Sequence, residues 1–134
     1  MRYSKQRELI LNQVQTRSDH PTANAIYAAL REVCPGLSLG TVYRNLNSLV
    51  EAGRVRRVSI PGKADRFDHT LLWHSHLYCT VCGGVTDADV DGKQVMELVK
   101  NQKGRVQDCA MVLLGVCEEC CRKQDAEAAA VKQA

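Results

Sequence analysis

The sequence has little aromatic area with which to fill a core: one tryptophan, one phenylalanine and four tyrosines in 134 residues. A small domain built this way needs a staple besides its hydrophobic packing. No apolar run approaches the roughly 20 residues of a transmembrane helix, and the charged opening MRYSKQRELIL contains no signal-peptide core. These absences point to a cytoplasmic protein with no membrane partner. Charge of one sign is not in marked excess either. A formal net charge of +3 permits nucleic-acid binding without arguing for it alone. No internal repeat is evident, and the length suits one domain or two very small ones. No evident general base or substrate loop accompanies the candidate metal ligands described next, so an enzyme, such as a zinc hydrolase with an open metal position, is not expected.

What the chain does have is cysteine, seven in all. Cys79 and Cys82 form one Cys-x-x-Cys pair, and Cys117 and Cys120 form another. Glycines flank both, Gly83 and Gly84 after the first and Gly115 before the second. A Cys-x-x-Cys turn aims both sulfurs at one point, and two such turns together give a closed tetrahedral four-sulfur site for structural zinc. A pair of disulfides is the competing reading; it suits secreted proteins, and cytosolic thiols stay reduced. Cys34 and Cys109 sit among apolar residues and read as small core residues, while Cys121 reads as an idle thiol beside Cys120. Just upstream of the first pair, His74 and His76 are two apart and fall on the same side of a strand. Imidazoles, together with carboxylates, suit iron, manganese or zinc rather than a thiolate cage.

Taken in order, Leu9, Ile10 and Val14 mark a helix from Ser4 to about Arg17, broken at Ser18-Asp19-His20-Pro21. Thr22 is placed to cap a second helix with Ile26, Leu30 and Val33 inward, ending at Cys34-Pro35-Gly36. Ser38 caps a third over Leu39 to Ala52, with Val42, Leu46, Leu49 and Val50 inward and Gly53 as its stop. Arg54 to Ile60 and Ala64 to Asp68 read as a hairpin. Three helices and a hairpin are the winged helix-turn-helix order, whose third helix reads DNA. Its outward side should carry Ser38, Thr41, Tyr43, Arg44, Asn45 and Asn47, followed by the basic Arg54, Arg56, Arg57, Lys63 and Arg66. Thr41, Tyr43, Arg44, Asn47 and Arg57 are the expected DNA contacts. The second half reads as a strand into Cys79, a strand over Val85 to Val90, a helix over Gly92 to Asn101 and a long strand from Arg105 to Val116. The tail after Arg122 reads as helical or frayed. That half alone buries little surface, which favours dimerisation through an edge strand. The expected fold class is α+β: a winged-helix DNA-binding domain over 1–69, a linker over 70–73, and a small α/β dimerisation and metal-binding domain with a four-cysteine zinc site over 74–134.

The segments HPTANAIY, LSLGTVYRNLNSL, RFD, HSHLYCTVCGGVTD and GVCEEC together resemble the ferric uptake regulator family of bacterial metal-responsive repressors, over nearly the whole chain. The resemblance implies a homodimer that binds an inverted-repeat operator in double-stranded DNA when a regulatory Fe²⁺ or Mn²⁺ is bound. Residue by residue, it implies that the regulatory ligands are His20, Asp68, His74, His76 and Asp87. Aspartates at both acidic positions are typical of the peroxide-responsive branch of the family. In that branch bound iron cleaves peroxide and a ligand histidine is oxidised, with His20 and His74 the matching candidates. RVQDCAMVLLGVC lacks a histidine that iron-responsive members commonly carry there, so no third metal site is expected. An iron-responsive regulator and a thiol redox switch are the alternatives.

Overall fold

The computed structural model describes residues 2–133. The chain divides into two compact units, 1–73 and 74–134.

The first unit holds helices α1 (Arg2–Thr16), α2 (Ala23–Leu30) and α3 (Leu39–Glu51), then strands β1 (Arg56–Val58) and β2 (Arg66–Asp68). Helix α1 begins at Arg2, so Ser4 lies inside it rather than capping it. Two later caps follow the side-chain chemistry of the sequence. Thr22 Oγ1 accepts from the Ala25 amide at 3.1 Å, and Ser38 Oγ accepts from the Thr41 amide at 3.1 Å. Helix α3 closes with Gly53 at φ 71, its amide bonded to the Val50 carbonyl and the Arg54 amide to the Leu49 carbonyl. That pair of bonds is the Schellman closure, which needs a left-handed residue at Gly53. Helix α2 ends at Leu30, short of the Cys34-Pro35-Gly36 break, and turns follow. Val33 therefore leaves the inner face and is 69% exposed, contrary to the expectation that it packs inward.

The core of this unit is Ile10, Val14, Ile26, Leu30, Val42, Leu46, Leu49, Val55 and Phe67. The chain's one phenylalanine is thus placed at the core's wing side. Strands β1 and β2 pair antiparallel, Arg57 opposite Phe67 and Arg56 opposite Asp68. Each has three residues, shorter than the alternation suggests. Pro61 and Gly62 (φ 71) turn the chain between them, with the Lys63 amide bonded to the Ile60 carbonyl.

The second unit is a three-stranded sheet in the order β4-β3-β5, with β3 (Ser75–Cys79) central and β4 (Val85–Ala88) antiparallel to it. Strand β5 (Val112–Gly115) runs parallel to β3 after helix α4 (Gly92–Leu98), which starts on a capping box of Asp91 and Gln94. The expected strand over Arg105 to Val116 is realised only in β5; residues 105–111 have no regular structure, and the Met111 carbonyl, which accepts from the His76 amide, leads into the pairing. Helix α5 (Glu118–Gln133) takes in the second cysteine pair's Cys120 and begins before Arg122. Strand β5 is an outer strand, with Leu113 and Leu114 exposed. No helix among the described residues is long and apolar enough to cross a membrane.

Candidate metal centres and nucleic-acid interface

The sulfurs of Cys79, Cys82, Cys117 and Cys120 all lie within 4.8 Å of one another, inside the second unit. The first pair sits in a tight loop after β3. The Gly83 amide bonds to the Cys79 carbonyl, with Gly83 at φ 74, and the Cys79 amide bonds to the Gly84 carbonyl. The amides of Cys82 and Gly84 point at sulfur, reaching Cys79 Sγ and Cys82 Sγ at 3.4 Å each. A Cβ on Gly84 would stand 3.3 Å from Cys82 Sγ, so glycine there lets the loop close tightly around the thiolates. The second pair is delivered by sheet register. Cys79 lies opposite Gly115 in the parallel pairing, and both the amide and the hydroxyl of Thr80 bond to the Gly115 carbonyl, at 2.7 and 3.1 Å. Two residues on, Cys117 arrives beside the first pair, and the Cys121 amide bonds back to the Cys117 carbonyl as α5 begins.

The donor set fits a zinc ion. Cys82 Sγ and Cys117 Sγ are 3.9 Å apart, close to the edge of about 3.8 Å that a sulfur tetrahedron has at a Zn–S distance of about 2.3 Å. None of the four ligand sulfurs is in a disulfide. The backbone amides of Cys82 and Cys117 pull the Cys79 thiol down to about 6, which makes it a thiolate at neutral pH. Cys120, hydrogen-bonded to the Cys117 side chain and buried, is pushed up to about 12. Four sulfurs this close cannot all ionise against one another's charge, and a divalent cation at their centre removes that repulsion.

The imidazole and carboxylate candidates form one group in each unit. In the first, His20 Nε2 lies 3.2 Å from Asp68 Oδ2, and both side chains are buried. Asp68 Oδ1 accepts from the Thr70 amide at 2.9 Å. Strand β2 is tied to the loop bearing His20: the Phe67 amide bonds to the Pro21 carbonyl at 3.0 Å, and Thr22 and Arg66 form an isolated bridge. In the second unit, His76 lies opposite Asp87 in the β3–β4 register. Asp87 Oδ1 is 3.2 Å from His74 Nε2 and 3.9 Å from His76 Nε2, and the two rings are 4.3 Å apart on one side of β3. Ser75, fully buried between the two histidines, was not expected to matter. Its hydroxyl bonds to the carbonyls of Ala88 and Val90 at 3.1 and 2.9 Å and accepts from the Val90 amide, which fixes where β4 ends and keeps Asp87 in register. Only its position between two histidines hinted at this in the sequence. A ligand set of neutral imidazole nitrogens and carboxylate oxygens fits iron or manganese.

On α3, Tyr43, Arg44 and Asn47 are exposed, and Thr41 is half-buried at the first turn. Thr41 Oγ1 accepts from the Arg44 guanidinium at 3.0 Å and pairs with Ser38 Oγ at 2.8 Å. Asn45 is corrected from the outward set: it is buried, donating to the Thr41 carbonyl at 2.9 Å and accepting from Arg7 Nε at 3.2 Å. Arg57 is exposed but engaged. It donates to Asn47 of α3, lies 3.5 Å from Asp65 Oδ2 and stacks its guanidinium over Phe67 at 5.9 Å. Arg54 and Lys63 face solvent.

The winged order of the first unit and the thiolate cluster of the second define a metal-dependent regulator class. The ferric uptake regulator family model matches residues 1–114. The chain belongs to the ferric uptake regulator family. It is 34% identical over 127 residues to the peroxide operon regulator of Bacillus subtilis (strain 168), covering 93% of this chain and 88% of that protein. It is 31% identical over 122 residues to the peroxide-responsive repressor PerR of Staphylococcus aureus (strain USA300), covering 90% and 82% respectively. The crystal structure of the Campylobacter jejuni peroxide stress regulator superposes with a TM-score of 0.70 at 28% identity, covering 89% of this chain and 91% of that one.

Proposed function

We propose that the protein is a cytoplasmic, homodimeric, peroxide-responsive repressor that holds structural zinc on Cys79, Cys82, Cys117 and Cys120 and uses Fe²⁺ or Mn²⁺ as co-repressor on His20, Asp68, His74, His76 and Asp87. The observation that carries the reading is the donor chemistry: aspartates, not glutamates, stand beside the histidines in both groups, in a chain whose relatives include peroxide-responsive repressors. A metal on these ligands changes operator affinity only by its differential affinity for the two states of the protein. Thr41, Tyr43, Arg44 and Asn47 supply base-edge and phosphate donors, and Arg57 supports the wing beside them. Iron, when bound, supplies the chemistry that reduces peroxide. The imidazole of His20 or His74 gains one oxygen and the second peroxide oxygen leaves as water. An oxidised imidazole is a poorer donor, so the operator is released. The role is regulatory rather than catalytic.

The test is a mobility shift on a duplex selected by the protein from a random pool, with Mn²⁺ or Fe²⁺, before and after brief peroxide. Peptide mass spectrometry follows on the same samples. One added oxygen on His20 or His74 with iron and none with manganese is expected. Oxidation confined to cysteines overturns the reading in favour of a thiol switch. Reversible iron-dependent binding without oxidation overturns it in favour of an iron-responsive regulator.

A further inference from the structure

The His20 loop is held in a conformation its own residues disfavour. His20 has φ 53, the left-handed region, and it precedes Pro21, which restricts it further. A non-glycine residue stays there only when its surroundings over-determine it. The holders are visible. Arg66 Nη1 donates to the His20 carbonyl at 3.2 Å and to the Asp19 carbonyl at 3.4 Å. The Phe67 amide takes the next carbonyl, that of Pro21. Asp19 is in turn clamped by Arg17 through two bonds, at 3.0 and 2.7 Å. Arg66 and Asp68 are two apart on β2, so their side chains lie on the same side of the strand. One grips the backbone of the loop while the other meets the His20 imidazole at 3.2 Å.

We propose that Arg66 is a positioning residue of the regulatory metal site, fixing the His20 imidazole against Asp68, rather than one of the basic DNA contacts of the wing. This departs from the expectation that grouped Arg66 with Arg54, Arg56, Arg57 and Lys63. It rests on the reading of His20 and Asp68 as metal ligands. Both bonds leave one nitrogen, Nη1, at the end of a rigid planar group, and a lysine stem ends in a shorter-reaching ammonium that does not reproduce that placement. Loss of Arg66 frees the His20 peptide to return to an extended conformation, and the imidazole then leaves the place where Asp68 completes the donor pair.

The test uses the zinc-loaded full-length protein as wild type, Arg66→Lys and Arg66→Ala. Mn²⁺ affinity is measured by calorimetry. The salt dependence of binding to the selected duplex is measured at saturating Mn²⁺. The expected result is a loss of Mn²⁺ affinity of about 10-fold or more in both variants, as for other groups that orient ligands, with an unchanged salt slope. Unchanged Mn²⁺ affinity in both variants overturns the proposal, and a slope shallower by about one would then assign Arg66 to a phosphate. Arg66→Lys keeps the charge and decides the matter if Arg66→Ala does not fold. Wild-type protein that binds no Mn²⁺ defeats the ligand reading first and this proposal with it, a result distinct from any difference between variants.

Discussion

At the scale of single residues, side chains of the first unit differ in what their loss removes. Arg44 is exposed on α3, its guanidinium donating to Thr41 one turn back. Arg44→Ala should cost about 1–3 kcal/mol of operator binding and relax sequence preference if it reads a guanine, measured by titrating selected and scrambled duplexes. Arg57 joins α3 to the wing through Asn47 and lies over Phe67. Arg57→Ala should weaken all duplexes about equally, and a change confined to one base position would contradict its bracing role. Phe67→Ala removes the chain's one phenylalanine from a 2% exposed site, and should cost about 3–5 kcal/mol of stability in a denaturant titration while zinc content stays constant. The residues that sequence reading placed well are those whose role is local: Ser38 and Thr22 cap because their hydroxyls meet amides three residues on. Asn45 escaped it because its type is polar, and only the arrival of Arg7 from α1 explains why it is buried. Val33 escaped it because α2 stops at Leu30, before the break that the sequence marks.

At the scale of elements, the sheet of the second unit and its cysteine loops depend on each other. Zinc needs thiolates, and Cys79, depressed to about 6, is ready to supply one at neutral pH. A depressed thiol contributes its stabilisation above its unfolded value and loses it as pH falls through the folded one. Zinc retention should therefore be complete at neutral pH and weaken on acidification as protons compete with the ion for the four sulfurs, read with a chromogenic chelator. Cys82→Ser should leave a second unit without zinc and without cooperative unfolding; a zinc-loaded, folded variant would refute the ligand assignment. The cysteine spacing and the histidine pair make both metal chemistries legible in the sequence. The extent of β5 is not legible there, because residues 105–111 join no ladder, and pairing is a non-local property.

At the scale of the whole molecule, the outer strand β5 presents Leu114, 58% exposed, beside Leu113. An outer strand with apolar side chains needs cover. If that cover is a second copy, Leu114→Asp should shift the sedimentation coefficient toward the monomer without loss of zinc.

The parallel pairing of β3 with β5 has one more consequence. Cys82 and Cys117, 35 residues apart, meet at the closing end of that pairing, so a metal there ties off a long excursion of the chain. By the loop-entropy model used for covalent cross-links, such a tie is worth about 4 kcal/mol. The ion is in this sense a removable knot. A protease cut in the irregular stretch around Gly104 should leave two fragments that migrate together in a native gel, and a chelator alone should let them part.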